Sequence, residues 1–150
     1  MRRAIALSRE RMEAGDGGPF GAVVVKQGRI VGEGNNRVTT ANDPTAHAEV
    51  VAIREACRTL DSFSLEGCDI YSSCEPCPMC LAAIYWARIR HLYFANSRAD
   101  AARIDFDDDL IYREVALPIE DRSLPATRLL ADEAHAVFDE WLVKPDKIPY

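Results

Sequence analysis

"SCEPCPMC", residues 73–80, sets Cys74, Cys77 and Cys80 at even steps of three. It follows "CDIYSS" (68–73), which reads as a short strand, and leads into "PMCLAAIYWAR" (78–88), a helix entered through Pro78. "RHLYFA" (90–95) then reads as the next strand, and strands alternating with helices indicate an α/β fold. Three thiols this close look like a metal cage, and two cages are open to them. With all three and a histidine the site is closed and structural. With two thiols and a histidine, one coordination position stays free for chemistry.

The rest of the chain fits the same class. Residues 2–14 read as a helix stopped by Gly15. "AVVVK" and "RIVGEG", joined by Gln27-Gly28, read as a tight hairpin, which makes the sheet mixed. "GDGGPFG" (15–21) is a glycine-rich loop without the Gly-Lys-Ser/Thr of a phosphate loop. "NNRVTTAND" is loop, and "DPTAHAEVVAIREAC" is the clearest helix, with Asp43 as its cap, Pro44 at its first position and its end near Leu60-Asp61. Residues 98–104 read as a short helix, "DFDDD" (105–109) as acidic loop, "ATRLL" (126–130) as a strand and 131–142 as an amphipathic helix.

At 150 residues and 48% hydrophobic, the chain has the size of one compact domain. Its 24 acids against 18 bases leave a net charge of −6 and no long basic run, unlike a protein that grips a nucleic-acid backbone. Five cysteines are an odd number, unlike a disulfide framework. The start "MRRAIALSRER" is too charged for a signal peptide, and the longest uncharged apolar stretch, 76–87, is too short for a bilayer. The expectation is a cytoplasmic protein without a membrane or nucleic-acid partner.

Of the three histidines, His91 falls in a strand and His135 in the last helix, where packing or surface roles are ordinary. His47 lies near a helix start, with Glu49 two residues on. Cys77 and Cys80 are one turn apart at another helix entry, where the dipole favours thiolates. His47-Ala-Glu49 followed by Pro76-Cys77-Pro-Met-Cys80 matches H-x-E…P-C-x-x-C, the signature of zinc-dependent nucleobase deaminases. This favours the open site: one zinc per chain on His47, Cys77 and Cys80, water at the fourth position, and Cys74 as packing. A bound zinc lowers the pKa of water toward about 7. Glu49 is then the carboxylate that moves protons between water, ring nitrogen and departing amine.

Around that motif, "DGGPFGAVVVK", "NDPTAHAEVVAIREAC", "AIYWAR" and "FDDDLIYRE" resemble the cytidine-deaminase superfamily and, within it, the small bacterial guanine deaminases. The likeness covers most of residues 1–115 and, weakly, the rest. It implies a three-layer α/β/α sandwich on a five-stranded mixed sheet, and hydrolysis of guanine at C2 to xanthine and ammonia. It further implies that Asn36 hydrogen-bonds the purine and that the Ala48 backbone N–H holds its carbonyl. Phe20 and Trp86 wall the base, His47 stacks against it, and Asp108 assists recognition or proton transfer. Two positions depart from the family, which commonly has glycine at Asp105 and at Ala82. Members form homodimers whose C-terminal segments cross to the partner. Here that implies a single domain over 1–150, with 143–150 as a lid stiffened by Pro145 and Pro149, given apolar anchors by Ile148 and Tyr150, and bringing Tyr150 into the partner's substrate pocket. Other readings keep the zinc motif and change the substrate to guanosine, cytosine, a pterin or a tRNA adenosine. A reading of another class is a non-catalytic zinc module with Cys74 as fourth ligand.

Overall fold

The structure, a computed structural model, describes residues 1–149; the expectation for Tyr150 lies outside them. The chain divides into two compact units, Met1–Tyr112 and a second beginning at Arg113.

In the first unit the order is α1 (Arg2–Glu13), β1 (Gly21–Lys26), β2 (Arg29–Asn35), α2 (Val38–Ala41), α3 (Ala48–Leu60), β3 (Cys68–Cys74), α4 (Pro78–Trp86), β4 (His91–Asn96) and α5 (Arg98–Ala102). The sheet is four-stranded in the order β2-β1-β3-β4. β1 pairs antiparallel with β2 and β3, and β3 pairs parallel with β4 through the α4 crossover. Gln27 and Gly28 both take positive φ, 50° and 76°, the turn that matches the twist of a two-residue hairpin.

Strand alternation sends the two halves of each strand to different helices. Ala22, Val24 and Ile70 meet Ala48, Ala52 and Ala56 of α3 and Ile84 of α4. Val23 meets Ala4 and Leu7 of α1. Helices therefore cover both faces. The three α3 alanines recur every four residues, one stripe of the helix, and all are fully buried. This small-residue stripe brings α3 backbone onto β2. A Cβ at Gly34 would stand 2.1 Å from the Ala48 carbonyl oxygen, so only glycine fits there.

The sheet corrects the expectation of five strands. Residues 126–130 are irregular, and Leu130 holds φ +51° immediately before the next helix. The second unit contains the end of α6 (Asp109–Ala116), a 3₁₀ turn at Ile119–Asp121 and α7 (Ala131–Val143). α6 begins at the last residue of the acidic run 105–109 and continues through residues for which the sequence carries no expectation. Asp107 Oδ1 accepts from the Asp109 N–H at 3.0 Å, so the acidic run supplies the start of the helix. The middle of "NNRVTTAND" likewise hides α2. No helix among the described residues is long and apolar enough to cross a membrane.

Candidate active site

The start of α3 differs from the sequence expectation, and the difference builds the site. Asp43 does not cap α3. Its Oδ1 accepts from Thr45 N–H (2.8 Å) and Thr45 Oγ1 (2.7 Å), closing a turn of its own around Pro44. The helix opens at Ala48, and His47 holds the N-cap position with an extended backbone, ψ 155°. α4 begins in the same way: Cys77 is its N-cap, Pro78 stands in the first turn, and Cys80 follows three residues on. Two helix N-termini therefore present one imidazole and two thiols.

These three side chains converge. His47 Nδ1 lies 3.5 Å from both Cys77 Sγ and Cys80 Sγ. All three donor atoms lie within 4.8 Å of one another, and this is the metal-capable cluster of His, Cys, Asp and Glu among the described residues. A hydrogen bond from Cys80, with help from His47, pulls the Cys77 thiol down to about 4, whereas Cys80 is pushed up because it gives the proton of that pair. His47 is raised, chiefly by its bond with Cys77. One nitrogen and two sulfurs, already sharing a thiolate at two positive helix ends, are the donor set of a catalytic zinc. The residues fit the metal.

Cys74 stays apart. It is buried, its thiol is pushed up to about 11 by that burial, and its Sγ lies 3.6 Å from the Ser97 carbonyl oxygen. Cys57 and Cys68 are also free thiols, each raised by burial.

A cavity of about 430 Å³ lies against the cluster and takes in Phe20, Asn36, His47, Ala48, Glu49 and Asp108. Glu49, in the first turn of α3, is buried at 6% exposure. Burial raises its pKa, opposed by hydrogen bonds that include one from Ser72 Oγ at 2.8 Å. Ala48 is the first helical residue, so its N–H has no partner within α3. Asn36 Oδ1 accepts from the backbone N–H groups of Gly18 and Val38, both at 3.3 Å, which turns its amide nitrogen into the group available as a donor. Phe20 meets Phe106 edge to face at 4.9 Å. Asp108 is 18% exposed and paired with Arg98 Nε at 3.1 Å.

One expected residue is not brought in. Trp86 ends α4, is 70% exposed and does not line the cavity; Phe106 supplies the second aromatic wall instead. The reason is reach. Cys80 is in the first turn of α4, and Trp86 lies at the far end of that helix, away from the N-terminus that faces the cluster. Asp105 also lines the cavity and holds φ +68°, a left-handed backbone that explains the glycine common at this position in the family it resembles. Ser72 and Arg98 carry no signal as site residues in the sequence, and Phe106 enters only as the first residue of "FDDDLIYRE". Ser72 sits in a strand beside another serine, and only the fold brings it to Glu49, 23 positions away.

Comparison with known proteins agrees with this constellation. Residues 1–96 match the cytidine and deoxycytidylate deaminase zinc-binding region. Guanine deaminase from Bacillus subtilis is 52% identical over 141 residues, covering 94% of this chain and 90% of that protein. The crystal structure of the B. subtilis guanine deaminase superposes with a TM-score of 0.96 at 50% identity, over 99% of this chain and 95% of that one. A tRNA-specific adenosine deaminase from Aquifex aeolicus is 48% identical over only 77 residues, 51% of each chain. The zinc-binding region spans the residues that make the cluster and Glu49, and the chain belongs to the cytidine and deoxycytidylate deaminase family.

Proposed function

We propose that this protein is a guanine deaminase of purine catabolism or salvage, hydrolysing guanine to xanthine and ammonia. The observation that carries the substrate is the extent of the likeness. It runs over 94% of the chain to a guanine deaminase, well past the zinc-binding region, and stops at about half for the tRNA enzyme of A. aeolicus. The net charge of −6 also disfavours an RNA backbone as partner.

His47, Cys77 and Cys80 are the residues we assign to zinc. Zinc held there supplies a Lewis acid that makes water a competent nucleophile near neutral pH. The chain's own groups do the rest. Glu49 takes a proton from the attacking water, passes it to the ring nitrogen, and delivers the proton with which the amine leaves as ammonia. The Ala48 N–H and the Asn36 amide donate to the purine's acceptors. Phe20 and Phe106, in edge-to-face contact with each other, together wall one side of the ring, and His47 stacks against it. Asp108 faces the ring's N–H groups as an acceptor. The apolar walls keep bulk water from the reacting carbon.

A panel of guanine, guanosine, adenine, cytosine and tRNA, read by ammonia release, tests the substrate. Guanine should exceed adenine and cytosine by roughly 10⁴ in kcat/KM, because a site built for specific donors and acceptors leaves them unpaired with the wrong base. Guanosine turned over as fast as guanine would sink the free-base reading.

The chain is further proposed to act as a single cytoplasmic deaminase domain in a homodimer, with residues 143–150 closing the partner's site. Support comes from apolar side chains exposed late in the chain, Phe138, Trp141, Val143 and Ile148, more than a solvated tail needs. Deleting 144–150 should lower kcat/KM for guanine by more than about tenfold with zinc content intact, since an open site admits water. A truncated enzyme at full rate would end the lid assignment.

A further inference from the structure

Arg98, the first residue of α5, gathers contacts from both sides of the site. Its backbone N–H donates to Glu75 Oε2 at 3.1 Å, and Glu75 lines the cavity. Its Nε donates to Asp108 Oδ1 at 3.1 Å, and an Nη reaches Asp109 Oδ1 at 3.4 Å. The guanidinium carbon lies 3.7 Å from the centre of the Tyr112 ring. The Tyr112 hydroxyl in turn donates to the Pro76 carbonyl at 2.9 Å, and Pro76 immediately precedes Cys77. One side chain thus joins the wall that carries Asp108 to the turn that carries a thiol of the cluster.

We propose that Arg98 is a positioning residue for the deamination: it holds the Asp108 carboxylate in one orientation at the cavity wall, in register with the Cys77 turn. The proposal rests on the reading that Asp108 contacts the purine. The chemistry requires arginine. Its planar fork donates to a carboxylate while its face stacks on an aromatic ring, and lysine cannot do both at once. Arg98 and Asp108 are 32% and 18% exposed, so the pair is sheltered compared with an open surface bridge. A bridge of mere convenience would contribute little to stability and nothing to turnover.

A double-mutant cycle on the zinc-loaded enzyme separates the two. Arg98→Met, Asp108→Asn and the double variant are compared for kcat and KM with guanine, with zinc content and Tm measured alongside. Arg98→Met should lower kcat/KM by about tenfold to a hundredfold, the effect of a reacting group displaced by about an ångström. The double variant should be no slower than Asp108→Asn alone, because Arg98 then has nothing left to position. Arg98→Lys should recover only part of the loss, and the same cycle is run with it if Arg98→Met does not fold. Losses that multiply in the double variant, or an Arg98→Met enzyme at full rate beside an impaired Asp108→Asn, would overturn the role of Arg98. An Asp108→Asn enzyme at full rate would instead overturn the assignment of Asp108, and the positioning role with it.

Discussion

Replacing Glu49 with glutamine should cost roughly 10² to 10⁴ in kcat for guanine, the usual worth of a placed general acid–base, with the zinc content of the wild type. Glu49 stands outside the His47–Cys77–Cys80 cluster, so no donor atom is lost. Glutamine has the same length, and its amide oxygen can still accept from Ser72 Oγ, which now lies 2.8 Å from the carboxylate. The change therefore removes a proton carrier and little else. Why this carboxylate suits the task follows from its surroundings. It is buried, and burial pushes its pKa above the ordinary carboxylate value, so the group holds a proton it has taken more readily than an exposed carboxylate would. The measurement is ammonia release beside metal analysis and Tm on the same preparations. A glutamine variant that keeps its zinc and turns over within a few-fold of wild type would remove Glu49 from proton transfer and pass that role to another carboxylate of the cavity, Asp108 first.

What could be read from the chain divides by the range of the interaction concerned. The hairpin is local: Gln27-Gly28 needs only its own backbone angles, and it stands where its residues put it. The metal cluster is nearly local. Cys77 and Cys80 share one helical turn, and His47 and Glu49 share the start of another, so the motif carries the geometry. The start of α3 was misread because an aspartate before a proline has two uses. Asp43 can cap a helix or close a turn on Thr45, by the same kind of bond, and the extended backbone of His47 decides between them. "ATRLL", 126–130, reads as a strand by itself, yet strand pairing is settled by partners far away in the chain. The same limit explains Trp86 and Phe106. An aromatic residue announces its size but not the wall it joins, and Phe106 reaches Phe20 only through the turn after α5. Ser72 and Arg98 are the clearest case. Their roles lie in Glu49 and Asp108, 23 and 10 positions away, and neither spacing forms a motif.

The cysteines should separate sharply on substitution. Cys77→Ser and Cys80→Ser should each lose zinc and essentially all activity, because the hydroxyl of serine does not ionise near neutral pH and is a poor donor to this metal. Cys74→Ser should keep both, although Cys74 stands only three residues before Cys77. The contrast comes from where the fold puts each sulfur. Cys74 ends β3, before the Glu75-Pro76 turn; Cys77 and Cys80 lie after it, at the mouth of α4. Even without metal, Cys77 is drawn down to about 4 by the hydrogen bond from Cys80, while burial holds Cys74 at about 11. A thiol that must give up its proton to bind is ready in the first case and resisted in the second. Serine at 74 loses a little apolar packing, but its hydroxyl can donate to the Ser97 carbonyl that the thiol now faces at 3.6 Å. Zinc per chain, measured with turnover for all three variants, reads the result. Loss of metal from Cys74→Ser would mean that a fourth sulfur closes the coordination sphere, and a closed sphere leaves no position for water to be activated.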